Sequence, residues 1–406
     1  MRLKDFAKAG HAPTLFSAFL YFDMSFMVWV VLGPLGVHIA RELGLSPSQK
    51  GFMVALPVLA GALFRPAMGV LVDRIGAKMA GAIGQMIVML ALAWAYFVGL
   101  TTYGDVLVLG ICLGVAGASF AAALPLASRW YPPDAQGLAL GIAGAGNSGT
   151  VFAALLAPHL AEKMGWNGVL GLALIPLVLT FLIYFVFAKD APGRAPAQDF
   201  ANYFRVLKEK DAWWFMLFYL VTFGGFVGLA SSLVIYFNSQ FGLSPVVAGY
   251  LTAGCVLVGS MFRPIGGLVA DRIGGVRALQ VLYSMVVLAM LGVALSSGGG
   301  SLVPALVLFL IGMMAMGMGN GAVFQLLPQR FGKQIGTLTG LVGMAGGLGG
   351  FYLASSLGLS KQWTGDYRLG FVCYALLGAL AFIVLLRVKV RWRATWGSPA
   401  VAQARV

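Results

Sequence analysis

Twelve long apolar stretches follow one another along this chain of 406 residues, and they leave few folds open to it. Each holds about 20 or more mostly apolar residues, the length that an α-helix needs to cross a hydrocarbon layer of roughly 30 Å. Over the whole chain 60% of residues are hydrophobic and 10% are charged, which is typical of a polytopic membrane protein. The sequence therefore predicts an all-α membrane protein with twelve transmembrane helices, at 13–39, 50–71, 79–100, 105–128, 137–161, 167–188, 212–238, 246–269, 277–297, 302–326, 335–358 and 367–388.

The distribution of basic residues orients these spans. Of 27 lysines and arginines, 20 lie at the two termini and in one set of alternate loops, whereas 5 lie in the other set. This asymmetry follows the positive-inside rule and predicts that both termini are cytoplasmic, with the chain in the inner (plasma) membrane. It also accounts for the net charge of +14, so we expect the lipid bilayer, and not nucleic acid, around this chain.

The chain contains one six-span unit twice. The run Gly-Leu-Ser-Pro at 44–47 returns at 242–245, and Phe-Arg-Pro at 64–66 returns at 262–264, both at an offset of 198 residues. Six is an even number, so the two copies run parallel and are related by a pseudo-twofold axis. We expect an N-terminal half, a cytoplasmic linker, a C-terminal half and a cytoplasmic tail, at 1–188, 189–211, 212–390 and 391–406.

Each half carries one arginine deep inside an apolar span. Arg65 and Arg263 each lie eight residues before an Asp-Arg pair at the membrane surface, which places each guanidinium about 12 Å inside it. Such a charge costs on the order of 2.5 to 3.5 kcal/mol and is a functional hypothesis by default. Of 13 acidic residues only Asp23 lies well inside a span, and one carboxylate cannot neutralise two arginines. The pair therefore predicts an anion site between the halves, bound by two guanidinium forks.

The loops after spans two and eight carry a Gly, Asp-Arg, Gly pattern, complete in the first copy and partial in the second: Gly69, Asp73, Arg74, Gly76 and Lys78, then Gly267, Asp271, Arg272, Gly274 and Arg277. The pattern resembles the signature loop of the major facilitator superfamily. The resemblance implies the major facilitator fold. It also implies a gating latch between the halves that holds one face closed, formed by Asp73, Arg74, Asp271 and Arg272.

Two glycine-rich runs make the resemblance more specific. With an arginine in each of spans two and eight, the runs at 144–149 and 343–351 are similar to those of the nitrate/nitrite porter family, although Ala354 stands where that family has a proline. The resemblance implies transport of nitrate or nitrite, with the two arginines as the anion clamp. Asn147 is in addition a polar amide within an apolar span, suited to donate to an oxyanion. The residues implied to line the site are Phe26, Phe120, Gly144, Asn147, Tyr219, Phe223, Gly343 and Gly346.

Uptake of a monovalent anion opposes an inside-negative potential by about 2.3 kcal/mol per 100 mV and so needs a driver. Arginine does not release its proton, but a buried carboxyl group can carry one. Asp23, three residues before Phe26, is the candidate proton carrier, and structural pairing with a neighbouring helix is the alternative for it. We expect His11, His38 and His159, near span ends, to be structural.

These observations predict a secondary transporter that works by alternating access, with nitrate/proton symport as the first hypothesis. A nitrate/nitrite antiporter is the second, and transport of another small anion such as a carboxylate is the third. A receptor that senses nitrate fits less well, because the two halves look equally mobile. The spans show no nucleophile, cofactor motif or metal cluster, and Cys112, Cys255 and Cys373 each lie alone, so we expect neither an enzyme nor a cofactor nor a metal site. A monomer would suffice, since the site lies between halves of one chain.

Overall fold

The computed structural model describes residues 9–192, 205–296, 301–331 and 335–396. The regular structure of these residues is helical throughout. Outside the described residues lie residues 1–8 of the predicted N-terminal half, most of the predicted linker (193–204) and most of the predicted tail (397–406). The helices are Ala12–Trp29, Leu32–Leu43, Pro47–Ile75, Ala77–Val98, Tyr103–Gly117, Phe120–Ser128, Pro133–Gly144, the 3-10 helix Ala145–Ser148, Gly149–Leu172, Leu174–Phe187, Lys210–Phe241, Pro245–Ile273, Gly275–Ser296, Leu302–Phe331, Ile335–Thr364 and Arg368–Ala394.

In the described part of the chain, eleven helical stretches are long and apolar enough to cross a membrane, and one of them contains two spans. That stretch, Ala139–Phe187, has 49 residues, which as a straight helix would be about 74 Å long, more than twice the hydrocarbon thickness. Gly165 interrupts it with φ 72° and ψ 162°, a conformation outside the helical region. The stretch therefore folds back at Gly165, and the chain has the twelve spans that the sequence predicts. They are numbered in chain order below.

The repeated Gly-Leu-Ser-Pro run ends one span and begins the next in both halves. Gly44 and Gly242 take left-handed conformations, with φ 62° and 64°, at the ends of spans 1 and 7. Two residues later the Ser46 hydroxyl accepts a hydrogen bond from the Gln49 N–H at 3.3 Å, and Ser244 caps span 8 in the same way. A proline follows each serine at the first helical position, where it needs no hydrogen bond.

Three spans are broken in the middle, which the predicted boundaries did not anticipate. Span 1 is interrupted between Trp29 and Leu32, and span 4 between Gly117 and Phe120. Span 5 passes through the 3-10 helix Ala145–Ser148. The breaks lie beside one another, because the 3-10 helix packs against the first helix of span 1 and Gly117 packs against Trp29. Irregular backbone at membrane depth needs protein around it, so these breaks mark the centre of the molecule.

The two halves pack closely at the end of the bundle opposite to Ala12 and Ala394, the first residue of span 1 and the last of span 12. A Cβ on Gly51, at the start of span 2, would lie 2.7 Å from the Cα of Gly358, near the end of span 11. Only glycine allows backbones to approach so closely. In the first half of span 5, a Cβ on Gly141 or Gly144 would meet no atom of the described residues within 4 Å. Among the described residues the halves thus close this end of the bundle and leave space beside span 5 at the end where Ala12 and Ala394 lie.

Candidate functional site

Arg65 lies in the middle of span 2 and reaches across to the other half. Its side chain is 1% exposed. Nε donates to the carbonyl oxygen of Gly117 at 3.1 Å, and Nη1 donates to the carbonyl oxygen of Gly343 in span 11. Nη2 is buried and has no hydrogen-bond partner among the described residues. The guanidinium is therefore fixed by backbone carbonyls of both halves, while one of its nitrogens is left for another acceptor.

Aromatic rings surround the Arg65 guanidinium. Its Cζ lies 5.4 Å from the ring centroid of Trp29, 5.6 Å from that of Phe120 and 5.1 Å from that of Phe223. The Phe26 ring forms a second layer, 4.8 Å from Trp29 and 6.5 Å from Phe223. Ring faces stabilise a cation at these distances without neutralising it. The rings offset part of the cost of burial and leave the positive charge available.

Arg263, in the equivalent place of span 8, is half-buried. Its Cζ lies 5.8 Å from the ring centroid of Phe324, and its Nη1 is buried without a hydrogen-bond partner in the described structure. The two guanidinium groups are close enough to repel each other. The structure thus brings together the two arginines that the repeat singles out, one from each half, each with an unsatisfied buried nitrogen. An unsatisfied buried donor is costly unless something occupies the site in the functional state.

Tyr219 of span 7 lies between the two arginines. Its hydroxyl group interacts electrostatically with both guanidinium groups and forms a hydrogen bond with Arg263. Its ring stacks on Phe223 with centroids 5.0 Å apart and meets the edge of Phe324 at 5.1 Å. These contacts hold the phenol in one orientation, so Tyr219 presents a fixed polar group to the space that the arginines share.

Glycines of span 11 let its backbone approach the site. A Cβ on Gly343 would lie 3.4 Å from the Arg65 side chain. A Cβ on Gly346 would lie 2.7 Å from the Tyr219 ring and 2.8 Å from the Phe223 ring. The two positions therefore lie against the predicted clamp and the predicted aromatic wall. Gly144 is the last residue of the first helix of span 5, and a Cβ there would contact none of the described residues.

Asn147 lies in the 3-10 helix that interrupts span 5. Its side chain is 2% exposed, and Oδ1 is buried without a hydrogen-bond partner in the described part of the chain. The Asn147 carbonyl oxygen accepts from the Thr150 hydroxyl at 2.7 Å, which stabilises the break locally. A buried amide with an unsatisfied oxygen in a broken span is a polar group that packing alone does not explain.

Asp23 connects span 1 by hydrogen bonds to the interrupted part of span 5. Its carboxylate accepts a hydrogen bond from the Ser148 hydroxyl at 2.7 Å and another from the Gly149 N–H, at the start of the second helix of span 5. Its side chain is 3% exposed. These partners are neutral, and they fit both interpretations of the sequence: a helix cap, or a proton carrier attached to the Asn147 segment. The proton role stays a prediction.

The predicted latch residues lie at the end of the bundle where Ala12 and Ala394 lie. The described ion pair of Asp73 is with Arg129, at 3.3 Å, and it joins spans 2 and 4 of the same half. Arg74, Asp271 and Arg272 are exposed. In this conformation the Asp73 pair does not join the halves. A latch between the halves stays a prediction for the state in which this end is closed.

Trp29 and Phe324 belong to the site, and the sequence interpretation missed both. Trp29 lies three residues after Phe26, so its place on the same helical face could have been read from the spacing. Its indole N–H donates to the Pro57 carbonyl oxygen at 2.8 Å, which fixes the ring beside Arg65. Phe324 is one of 28 phenylalanines in an unremarkable apolar span, and only the packing of span 10 distinguishes it.

Comparison with known proteins agrees with this architecture. Residues 14–354 match the family model described as the Major Facilitator Superfamily. Among solved structures, a D-xylose-proton symporter superposes with a TM-score of 0.74 over 92% of this chain and 96% of its own, at 16% sequence identity. At that identity the likeness shows the fold alone.

Curated relatives are similar over most of their length. The "Nitrite extrusion protein" of Bacillus subtilis is 31% identical, over 89% of this chain and 90% of the relative. The "Probable nitrate/nitrite antiporter NarK1" of Thermus thermophilus is 34% identical, over 90% and 88%. A Staphylococcus haemolyticus protein named "Probable nitrate transporter NarT" is 30% identical, over 89% and 93%. The chain is therefore a membrane transporter and not an enzyme, and it belongs to the nitrate/nitrite porter family of the Major Facilitator Superfamily.

Proposed function

We propose that the chain moves nitrate across the inner membrane by alternating access, with the anion bound between Arg65 and Arg263. One observation carries this proposal: each half contributes a guanidinium whose outer nitrogen, Nη2 of Arg65 and Nη1 of Arg263, is buried without a partner in the described structure. An oxyanion would satisfy both nitrogens and reduce the repulsion between the two charges. The names of the curated relatives support nitrate or nitrite as that anion.

The rings around the site favour a small, weakly hydrated anion. Trp29, Phe120, Phe223 and Phe324 pack against the two guanidinium groups and offer no hydrogen-bond donor that would replace the anion's water. A strongly hydrated or larger anion loses more on entering such a site than it regains from two arginines and a phenol. Nitrate and nitrite fit this description, and a dicarboxylate fits it less well.

The mechanism that we propose is a rocking of the two halves about this site. The basic residues support a cytoplasmic location for both termini, so the conformation described here is closed outside. The anion draws Arg65 and Arg263 together and favours closure of the cytoplasmic end, where Asp73, Arg74, Asp271 and Arg272 form the latch. Glycines of spans 5 and 11, among them Gly144 and Gly346, let these spans slide past their neighbours. One chain contains the whole site, so we propose a monomer.

Proton symport is the coupling that we propose first, with Asp23 as the proton carrier. Asp23 is joined through Ser148 and Gly149 to the broken segment that holds Asn147, so protonation of its carboxylate would loosen that segment. Exchange for nitrite is the second candidate. It is favoured by the names of two relatives, "Nitrite extrusion protein" and "Probable nitrate/nitrite antiporter NarK1".

Uptake of labelled nitrate by proteoliposomes tests both points. Wild-type and Asp23→Asn protein are compared with an imposed inward proton gradient, with and without nitrite inside. Gradient-driven accumulation without nitrite, lost in the Asn variant, supports symport through Asp23. Uptake that requires internal nitrite and ignores the gradient makes the chain an exchanger and Asp23 a structural residue. Unlabelled acetate or succinate that competes as well as nitrate would contradict the proposed substrate.

A further inference from the structure

Span 10 contains a buried amide to which neither the family signatures nor the clamp assigns a role. Asn320 is 1% exposed, and its Oδ1 is buried without a hydrogen-bond partner in the described part of the chain. Burying an amide in an apolar bundle is unfavourable unless it is hydrogen-bonded. The position of Asn320 therefore needs an explanation.

The neighbours of Asn320 fix the direction of its side chain. A Cβ on Gly319 would lie 3.1 Å from Thr222 Cβ in span 7, and one on Gly321 would lie 2.6 Å from the Gly267 nitrogen in span 8. Successive residues of an α-helix are about 100° apart around its axis. Asn320 therefore points between spans 7 and 8, on the same face as Phe324 one turn later. Phe324 contacts Arg263 and Tyr219, so this face looks into the anion site.

Asn320 also lies at the depth of the arginines. Spans 2, 8 and 10 begin at the same end of the bundle, and Arg65, Arg263 and Asn320 are each 18 residues after the first residue of their helix. At 1.5 Å per residue all three lie about 27 Å along their spans. Spans 8 and 10 also pack directly on each other, since Gly321 touches the Arg263 backbone.

We propose that Asn320 is a further anion-binding residue, the amide that the C-terminal half contributes beside Asn147 of the N-terminal half. In the anion-bound state its Nδ2 group donates to an oxygen of the anion, and its Oδ1 accepts one of the two Nη1 hydrogens of Arg263, which leaves the other hydrogen for the anion. A carboxamide can do both at once, because it is a donor and an acceptor without net charge. Each half then supplies one guanidinium and one amide. This inference rests on the proposed function, because it assigns a ligand to the same anion site.

A matched control is available in Gln85 of span 3. Its side chain is 2% exposed, and its Oε1 also lacks a hydrogen-bond partner in the described structure. Its Nε2 donates to the Leu177 carbonyl oxygen at 3.2 Å, within the N-terminal half. A substitution of Gln85 therefore measures the effect of losing a buried amide that has one hydrogen bond and lies away from the arginines.

The test measures nitrate binding to purified protein by titration calorimetry for wild type, Asn320→Leu and Gln85→Met. We expect Asn320→Leu to raise the nitrate Kd about tenfold or more, since it removes a hydrogen bond to a charged ligand, and Gln85→Met to keep the wild-type Kd. Asn320→Asp should abolish binding, because it places a carboxylate beside the anion. Asn320→Ala replaces the leucine variant if the latter does not fold.

The possible outcomes separate the two proposals. A wild-type Kd in a folded Asn320→Leu or Asn320→Ala protein overturns the role of Asn320 and leaves the clamp intact. An equal loss in Gln85→Met shows that the effect belongs to buried amides in general and also overturns it. Wild-type protein that binds no nitrate overturns the proposed function, and the role of Asn320 with it.

Discussion

Replacing Arg263 by lysine tests whether the anion needs the planar, forked guanidinium group or only a positive charge. The guanidinium of Arg263 lies over Phe324, bonds to Tyr219 and has one buried nitrogen, Nη1, without a partner in the described structure. A lysine keeps the charge but has one nitrogen on a flexible stem, so it cannot hold the Tyr219 hydroxyl and an anion oxygen in the plane of a fork. We expect the loss of one charge-assisted hydrogen bond, about 1.5 to 3 kcal/mol.

That loss corresponds to a nitrate Kd about 10 to 150 times higher, with the fold and the melting temperature retained. The same change at Arg65 should cost at least as much, because it also removes the bonds to Gly117 and Gly343. Titration calorimetry on purified protein measures both, and Arg387→Lys, an exposed arginine of span 12, is the matched control. Wild-type affinity in both Arg65→Lys and Arg263→Lys would refute the clamp.

Three further changes test single contacts. Tyr219→Phe removes a hydroxyl group but keeps the ring stack on Phe223, so the nitrate Kd should rise about tenfold with unchanged thermal stability. An unchanged Kd would show that the Tyr219 hydroxyl does not contact the anion. Gly346→Ala places a Cβ 2.7 Å from the Tyr219 ring, so nitrate uptake by proteoliposomes should fall at least tenfold, and uptake at the wild-type rate would show that the ring can shift. Gly51→Val places a bulky side chain against the Gly358 backbone, at the end of the bundle where the two halves pack closely. Nitrate uptake should then be lost while calorimetry still detects nitrate binding, and retained uptake would show that this contact is not needed for transport.

The features that repeat in the sequence predicted the fold well. Two copies of a six-span unit, each with an apolar length set by the bilayer, specify twelve helices and a parallel pair of halves, and the structure and the family match confirm this fold. The Gly-Leu-Ser-Pro run served only to identify the repeat, although its left-handed glycine, serine cap and first-turn proline are local effects that the sequence could have predicted. The proximity of Arg65 and Arg263 follows from the same symmetry.

Features that depend on packing were not predicted. The breaks in spans 1, 4 and 5 are stable because neighbouring spans surround the irregular backbone, and the pattern of apolar residues along each span does not indicate them. Phe324 and Asn320 lie in a span without an evident motif, and only the packing of span 10 shows which of its faces meets Arg263. The Arg129 partner of Asp73 joins two spans of one half, a contact that the loop pattern alone does not specify.

A structure determined with nitrate bound would test the central claim most directly. The proposal predicts one planar anion between Nη2 of Arg65 and Nη1 of Arg263, within hydrogen-bond distance of the Tyr219 hydroxyl and walled by Phe223 and Phe324. An anion bound elsewhere, with the two arginines left unoccupied or paired with protein carboxylates, would contradict the account.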